Sequence, residues 1–268
     1  MFLLNTFTIV ILFILSLLLP ITGFLLPVYK IKKMKNMTFK SKLIVNILAM
    51  VIIGIIDPIL LGVYLMFFIL IEALYHYFNY LRPNTKQFDR IIITSLAVTV
   101  LMGVFLYTLV THIDINFDAV FTEFYSKYLD FDSIETRQFI TYIKNNSLYY
   151  LFDYAMISVF FMYISVDVDN YKKWDVSFEW LLLYIVPFFL IHIFKLENFY
   201  THNLLQIGQV IFIFFGVKTV YSFLTKFVKF RFLNNFVSFG LALSFPFASF
   251  IIGVLGGFFL KKPQKNIK

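Results

Sequence analysis

Residues 43–81 read LIVNILAMVIIGIIDPILLGVYLMFFILIEALYHYFNYL and contain only two charged side chains, Asp57 and Glu72. A single helix of that length would measure about 60 Å, which is about twice the hydrocarbon core of a bilayer. Two shorter spans fit a membrane better, and the Asp57-Pro58 pair predicts the turn between them. The stretch therefore predicts a pair of membrane-spanning helices.

The composition of the whole chain indicates the same environment. Hydrophobic residues make up 60% of the 268 residues and charged residues 14%, whereas soluble domains contain roughly 45–50% and about 25%. A soluble globule of this size needs more charged side chains to cover its surface. We predict an all-α protein, a polytopic transmembrane helical bundle that forms one integral membrane domain over residues 1–268.

Hydropathy divides the chain into about eight membrane blocks, each compatible with one helix. Two of them arise from residues 43–81. The other six are 2–29, 91–111, 148–166, 180–194, 204–224 and 236–260. Bends are expected near Pro20 and at Pro187, because proline removes a backbone donor. Residues 112–147 carry six acidic and three basic side chains, and they predict a short amphipathic external helical segment with Asp132 and Glu135 as a capping box.

Basic residues flank the apolar blocks, as expected for loops on the cytoplasmic side of a membrane. The clearest such loop holds six lysines without an acidic residue: Lys30, Lys32, Lys33, Lys35, Lys40 and Lys42. Eight spans would then place the four lysines of the C-terminal tail outside, against the positive-inside rule. Three explanations stay open: the first block is a broken hairpin, another block is re-entrant, or the tail is an exception.

The block 236–260 carries small residues at helical spacing. They form two sets, each with members four residues apart: Gly240, Ser244 and Ala248, and Ser249, Gly253 and Gly257. Small side chains let helix backbones approach closely, which is how helices associate within lipid. We predict that this block is one helix packed inside the bundle or against a partner membrane helix.

Polar side chains within the blocks are the candidate solute contacts. Glu72 and His76 lie four residues apart on one helix face, where they could relay a proton or supply two metal ligands, or could be solvated at the interface. Gln206 and Gln209 lie three apart, and with Asn46 they either contact a solute or cross-link helices by hydrogen bonds. Asp57 is expected to be a turn residue.

Several classes of chemistry are excluded or not predicted. The chain contains no cysteine, which excludes disulfides and thiolate catalysis. It has no GxSxG elbow and no Gly-rich phosphate loop. The basic residues that give the chain its net charge of +8 lie beside apolar blocks, so nucleic-acid binding is not predicted. We expect no enzymatic activity, no cofactor and no metal site. An intramembrane hydrolase is the least favoured alternative, with Glu72 and His76 as its only candidates.

Several features follow one another in a recognisable order. They are Leu19-Pro20-Ile21-Thr22-Gly23, Leu26-Pro27, Gly54, Gly62, the stretch from Trp174 to Trp180, Asn203-Leu204-Leu205 and Gly216. This order resembles the YybS-like family of predicted bacterial multi-pass membrane proteins, whose function is unknown. That family is distantly similar to the substrate-binding components of energy-coupling vitamin transporters. The resemblance implies a compact helical bundle that captures a small solute.

Two functional hypotheses follow. The first is a multi-pass protein of a bacterial inner or plasma membrane that binds a small solute or takes part in its transport. The alternative is a non-catalytic envelope scaffold that holds a partner helix through residues 236–260. The lipid bilayer is a partner under both hypotheses.

Overall fold

The computed structural model describes residues 2–112, 119, 123 and 133–259. Within these ranges the chain forms helices and turns but no strand, which confirms the all-α prediction. The helices are α1 Phe2–Leu18, α2 Leu25–Lys33, α3 Phe39–Ile56, α4 Pro58–Tyr80, α5 Gln87–His112, α6 Ser133–Asn145, α7 Ser147–Val166, α8 Leu182–His192, α9 Phe199–Leu224, α10 Arg231–Ser244 and α11 Pro246–Phe259.

The chain divides into two compact units. Unit 1 comprises Met1–Pro83 and Ile93–Val166, and unit 2 comprises Asn84–Ile92 and Asp167–Lys268. In unit 1, α1 packs against α3 and α2, and α2 also contacts α4 and α7. In unit 2, α9 is the central helix and contacts α8, α10 and α11. The division does not test whether the chain is one membrane domain, so that point stays a prediction.

Five described helices are long and apolar enough to cross a membrane: α3, α4, α5, α7 and α9. The pair α10 and α11 would make a sixth span, and α1 and Phe178–His192 are shorter apolar helices. Large apolar side chains also point away from the protein, including Ile55 at 80% exposure and Leu243 at 83%. Apolar surface of this extent matches lipid rather than water. The fold is therefore that of an α-helical membrane protein.

The predicted break at Asp57-Pro58 is confirmed. Asp57 has extended backbone angles, φ −163° and ψ 127°, and Pro58 is the first residue of α4. The Asp57 Oδ1 atom accepts hydrogen bonds from the backbone N–H groups of Ile59 at 2.6 Å and Leu60 at 3.4 Å. Asp57 thus caps α4 at the point where proline ends α3. The first block is also broken near Pro20, between α1 and α2.

The prediction that residues 236–260 form one helix is wrong. The block is divided between α10 and α11, whose axes are bent by 116°. Phe245 lies at the bend with φ −136° and ψ 66°, because the following Pro246 disfavours helical backbone angles in the residue before it. Gly240 and Ser244 therefore belong to one helix and Ala248 to the next.

Most of the predicted external segment 112–147, including Asp132 of the predicted capping box, lies outside the described residues. Its described part is α6, which is followed directly by α7. Pro187 lies inside α8.

Candidate functional site

A buried ion pair joins α2 to α4 in unit 1. The Lys30 Nζ donates to the Glu72 Oε2, and the exposed fractions of the two side chains are 0% and 20%. The same ammonium lies 3.5 Å from the Tyr64 hydroxyl and 5.6 Å from the centre of the Tyr64 ring. Lys30 therefore has an anion, a hydroxyl and a π face as neighbours, which together replace its hydration.

A π-helical turn positions Tyr64 in this site. Residues Tyr64–Ile69 form the turn inside α4, and Glu72 lies in the first α-helical turn after it. The Tyr64 ring is buried and meets the edge of Phe13 of α1 at a centroid distance of 5.5 Å. Phe13 also contacts Phe68 at 5.7 Å. Wide turns of this kind occur often at functional sites, and this one is fixed by aromatic packing.

The electrostatics of Lys30 follow from its position. The Lys30 side chain is fully buried, and the Glu72 carboxylate is the negative charge beside it. A buried pair of this kind is costly to break one side at a time, because the remaining charge has no solvent. Lys30 is accordingly not an exposed member of the lysine-rich loop, although the sequence placed it there with Lys32 and Lys33, which are exposed.

The candidate polar residues are found in both units. In unit 1, Glu72 pairs with Lys30, whereas the His76 ring contacts the rings of Tyr75 and Tyr80. The Asn46 Nδ2 donates to the carbonyl of Lys42 one turn earlier.

In unit 2, the Gln206 Nε2 lies 3.4 Å from the His202 Nε2, and its buried Oε1 has no hydrogen-bond partner among the described residues. Gln209 is half-buried on the same helix. Among the residues that the structure describes, no group of three or more metal-binding side chains is found. The role of these residues in solute contact stays a prediction.

The small residues of α11 lie against α9 of the same chain. A side chain at Gly253 would meet the backbone carbonyl of Phe212 and the backbone N–H of Gly216. Ser249 Oγ donates to the carbonyl of Ile213 at 3.0 Å. Gly257 faces Val176 and Phe215 at ordinary contact distance. Four-residue spacing thus coincides here with a close helix contact.

The small residues of α10 and of the start of α11 have different surroundings. A side chain at Gly240 would have no neighbouring atom within 4 Å. Ser244 and Ala248 are exposed. The buried face of α10 is formed instead by Asn234, Ser238 and Ala242.

A second carboxylate, Asp89, is buried and has no role in the sequence-based predictions. Its Oδ1 accepts from the Ser177 N–H at 2.7 Å and from the Trp180 Nε1 at 3.1 Å, and its Oδ2 accepts from the Ser177 hydroxyl. The backbone N–H of Phe88 donates to the carbonyl of Asp175. Asp89 therefore attaches the loop before α8 to the first turn of α5, and the signal that could have revealed it is an acidic residue in the first turn of a helix.

The fold and these contacts define the chain as an α-helical multi-pass membrane protein, with a buried lysine paired to the half-buried Glu72 in one unit and a buried carboxylate, Asp89, in the other. No family model, no curated protein and no solved structure matches it.

Proposed function

We propose that this membrane protein binds a small polar solute, in a role related to transport, and that the Lys30–Glu72 pair is the charged part of its site. The observation that carries the proposal is a buried ion pair beside a π-helical turn. Charged groups in membrane-spanning helices are costly and commonly mark the paths of solutes or ions. The π turn supports the same conclusion. The helix departs there from its most stable geometry, and turns of this kind are frequent at functional sites.

The exposure of the pair indicates the chemical class of the solute. Glu72 keeps 20% of its side-chain surface exposed and Lys30 keeps none. An incoming group therefore reaches the carboxylate first, which favours a solute with an ammonium or another strong hydrogen-bond donor. Such a donor competes with Lys30 for Glu72, and the competition couples binding to the contact between α2 and α4.

The test is ligand-induced stabilisation of the purified full-length protein in detergent. We expect a screen of small amines, vitamins and nucleobases to yield a compound that raises the midpoint of thermal unfolding. The double variant Lys30→Met with Glu72→Leu replaces the pair by apolar side chains, which keeps the fold intact when the volumes match. The response should be lost in this variant and kept in Glu197→Gln, whose side chain is exposed. A screen without any stabilising compound, or an unchanged response in the double variant, would contradict the proposal.

The kind of membrane and the family of this protein are proposals as well. The lysine-rich loop supports a membrane with a positive-inside bias, such as a bacterial plasma membrane, and membership of the YybS-like family stays a prediction. For the scaffold alternative, the open surface at Gly240 is the place where a partner helix could approach.

A further inference from the structure

We infer that a basic cleft in unit 2 binds a phosphate group, and that an anionic phospholipid carries it. The cleft lies between residues 168–172, the end of α9 and the start of α10. Its volume is about 160 Å³, and its polar lining is formed by Asp169, Lys172, Tyr221, Thr225, Lys229 and Arg231. A single water molecule needs roughly 10–15 Å³ of such cavity volume, so the cleft has room for a phosphate group.

The floor of the cleft is fixed by packing between the loop and α9. The Tyr221 ring is buried and lies 4.7 Å from the ring of Tyr171, centre to centre. The Ser222 hydroxyl donates to the backbone carbonyl of Lys172 at 3.3 Å. These contacts hold the backbone of Lys172 beside the end of α9, at the cleft that Lys229 and Arg231 also line.

The charges in the cleft suit an anion. Three cations, Lys172, Lys229 and Arg231, line it together with one acidic residue, Asp169. The Arg231 Nη2 lies 3.0 Å from the Asp169 Oδ1, and both side chains are mostly exposed, at 63% and 76%. An exposed ion pair contributes little to stability and exchanges readily. A phosphate can therefore take the guanidinium from Asp169 and bind it through two parallel hydrogen bonds.

The position of the cleft in the chain favours lipid as the source of the phosphate. The span α9 ends at Leu224, and Lys229 and Arg231 follow within seven residues. Phe223, Phe227 and Phe230, in the same stretch, have exposed fractions of 57%, 71% and 63%. Exposed apolar rings beside exposed cations are typical of a membrane surface, where the rings enter the acyl region and the cations meet headgroups.

The experiment measures lipid binding to the full-length, delipidated protein by native mass spectrometry, with phosphatidylglycerol against phosphatidylcholine. We expect retention of phosphatidylglycerol to fall about tenfold in the variant Lys172→Gln, Lys229→Gln, Arg231→Gln, since each cation contributes one charge-assisted contact. The matched control is Lys32→Gln, Lys33→Gln, Lys35→Gln, which removes three exposed cations outside the cleft and should bind as the unmodified protein does. Equal loss in both variants, or equal retention of the two lipids, would overturn the inference.

Two further arms identify the ligand and guard against misfolding. Asp169→Asn frees Arg231 and should raise retention several-fold, whereas Glu197→Gln, with the same change in charge, should not. A failure of Asp169→Asn to exceed Glu197→Gln would overturn the role of the cleft. Inorganic phosphate at the same concentration should not displace the lipid; displacement would overturn the assignment to lipid and indicate a soluble phosphate.

Discussion

The two units hold their helices together by different means. In unit 1, α2 and α4 meet through opposite charges, Lys30 and Glu72. In unit 2, α9 and α11 meet through backbone atoms at Gly253, and the buried Asp89 is bound by neutral donors. A contact between charges responds to a competing ligand, whereas a backbone contact responds only to a change in shape. Under the proposed function, the helix contact that a solute would change is therefore the one between α2 and α4 in unit 1.

The largest expected effect is that of Glu72→Gln. The substitution keeps the size of the side chain but leaves the Lys30 ammonium buried without its counter-ion. We expect the free energy of unfolding to fall by about 4 kcal/mol, measured by denaturant titration of the protein in detergent. The exposed control Glu197→Gln should change it by less than about 0.5 kcal/mol. Similar small changes in both variants would show that unit 1 does not depend on the ion pair.

The next effect, Gly253→Ala, tests the backbone contact in unit 2. The added methyl group would meet the carbonyl of Phe212 and the N–H of Gly216, and neither atom can move without shifting α9. We expect a loss of about 3 kcal/mol, at the upper end of the range for overpacking, in the same titration. A neutral result would mean that α9 and α11 separate easily and that the contrast between the units is wrong.

Asp89→Asn repeats the change from acid to amide where the partners are neutral. The Asn Oδ1 can keep the bonds from the Ser177 N–H and the Trp180 Nε1, and the Ser177 hydroxyl can accept from the new amide. Only the charge assistance of these bonds is lost, so we expect a cost of about 1 kcal/mol. A cost equal to that of Glu72→Gln would show that the two carboxylates do not differ.

The smallest effect is expected for Gly240→Ala in α10, the counterpart of Gly253→Ala. Nothing lies within 4 Å of the added methyl group, and alanine has the higher helix propensity. We expect a gain of about 0.5 kcal/mol or less in thermal or denaturant unfolding. A loss comparable to that of Gly253→Ala would indicate that α10 has a neighbour in solution, as the scaffold alternative requires.

Much of the fold could be predicted from the sequence because membrane helices have a strong compositional signal. The break at Asp57 carries its own local cause, a capping side chain followed by proline. The bend at Phe245 has a similar local cause in Pro246, yet long apolar runs on both sides favoured the interpretation as a single helix. Hydropathy identifies the length of an apolar segment but not the direction of its helix axis, so it does not predict the bend.

The candidate site was predictable only in part. Glu72 stood out as a charge inside an apolar block, and the structure places it in a buried pair. Lys30 could not be distinguished from its five neighbouring lysines, because its burial depends on a carboxylate 42 residues later in the chain. Asp89 likewise depends on Ser177 and Trp180, far along the chain. Partners at such separations are a property of tertiary packing.

The π turn at Tyr64–Ile69 also sets the direction in which the side chains beyond it point. Each residue of an ordinary α-helix advances the direction of its side chain by about 100°, and a π turn amounts to one extra residue in the winding. Deleting a single residue there would restore ordinary α geometry with little net rotation, whereas winding all six residues as an α-helix would rotate everything beyond them by about that amount. Glu72 would then face another direction, and Lys30 would lose its anion although neither residue had changed. The wide winding of this short stretch is therefore under the same constraint as the identity of the two charges.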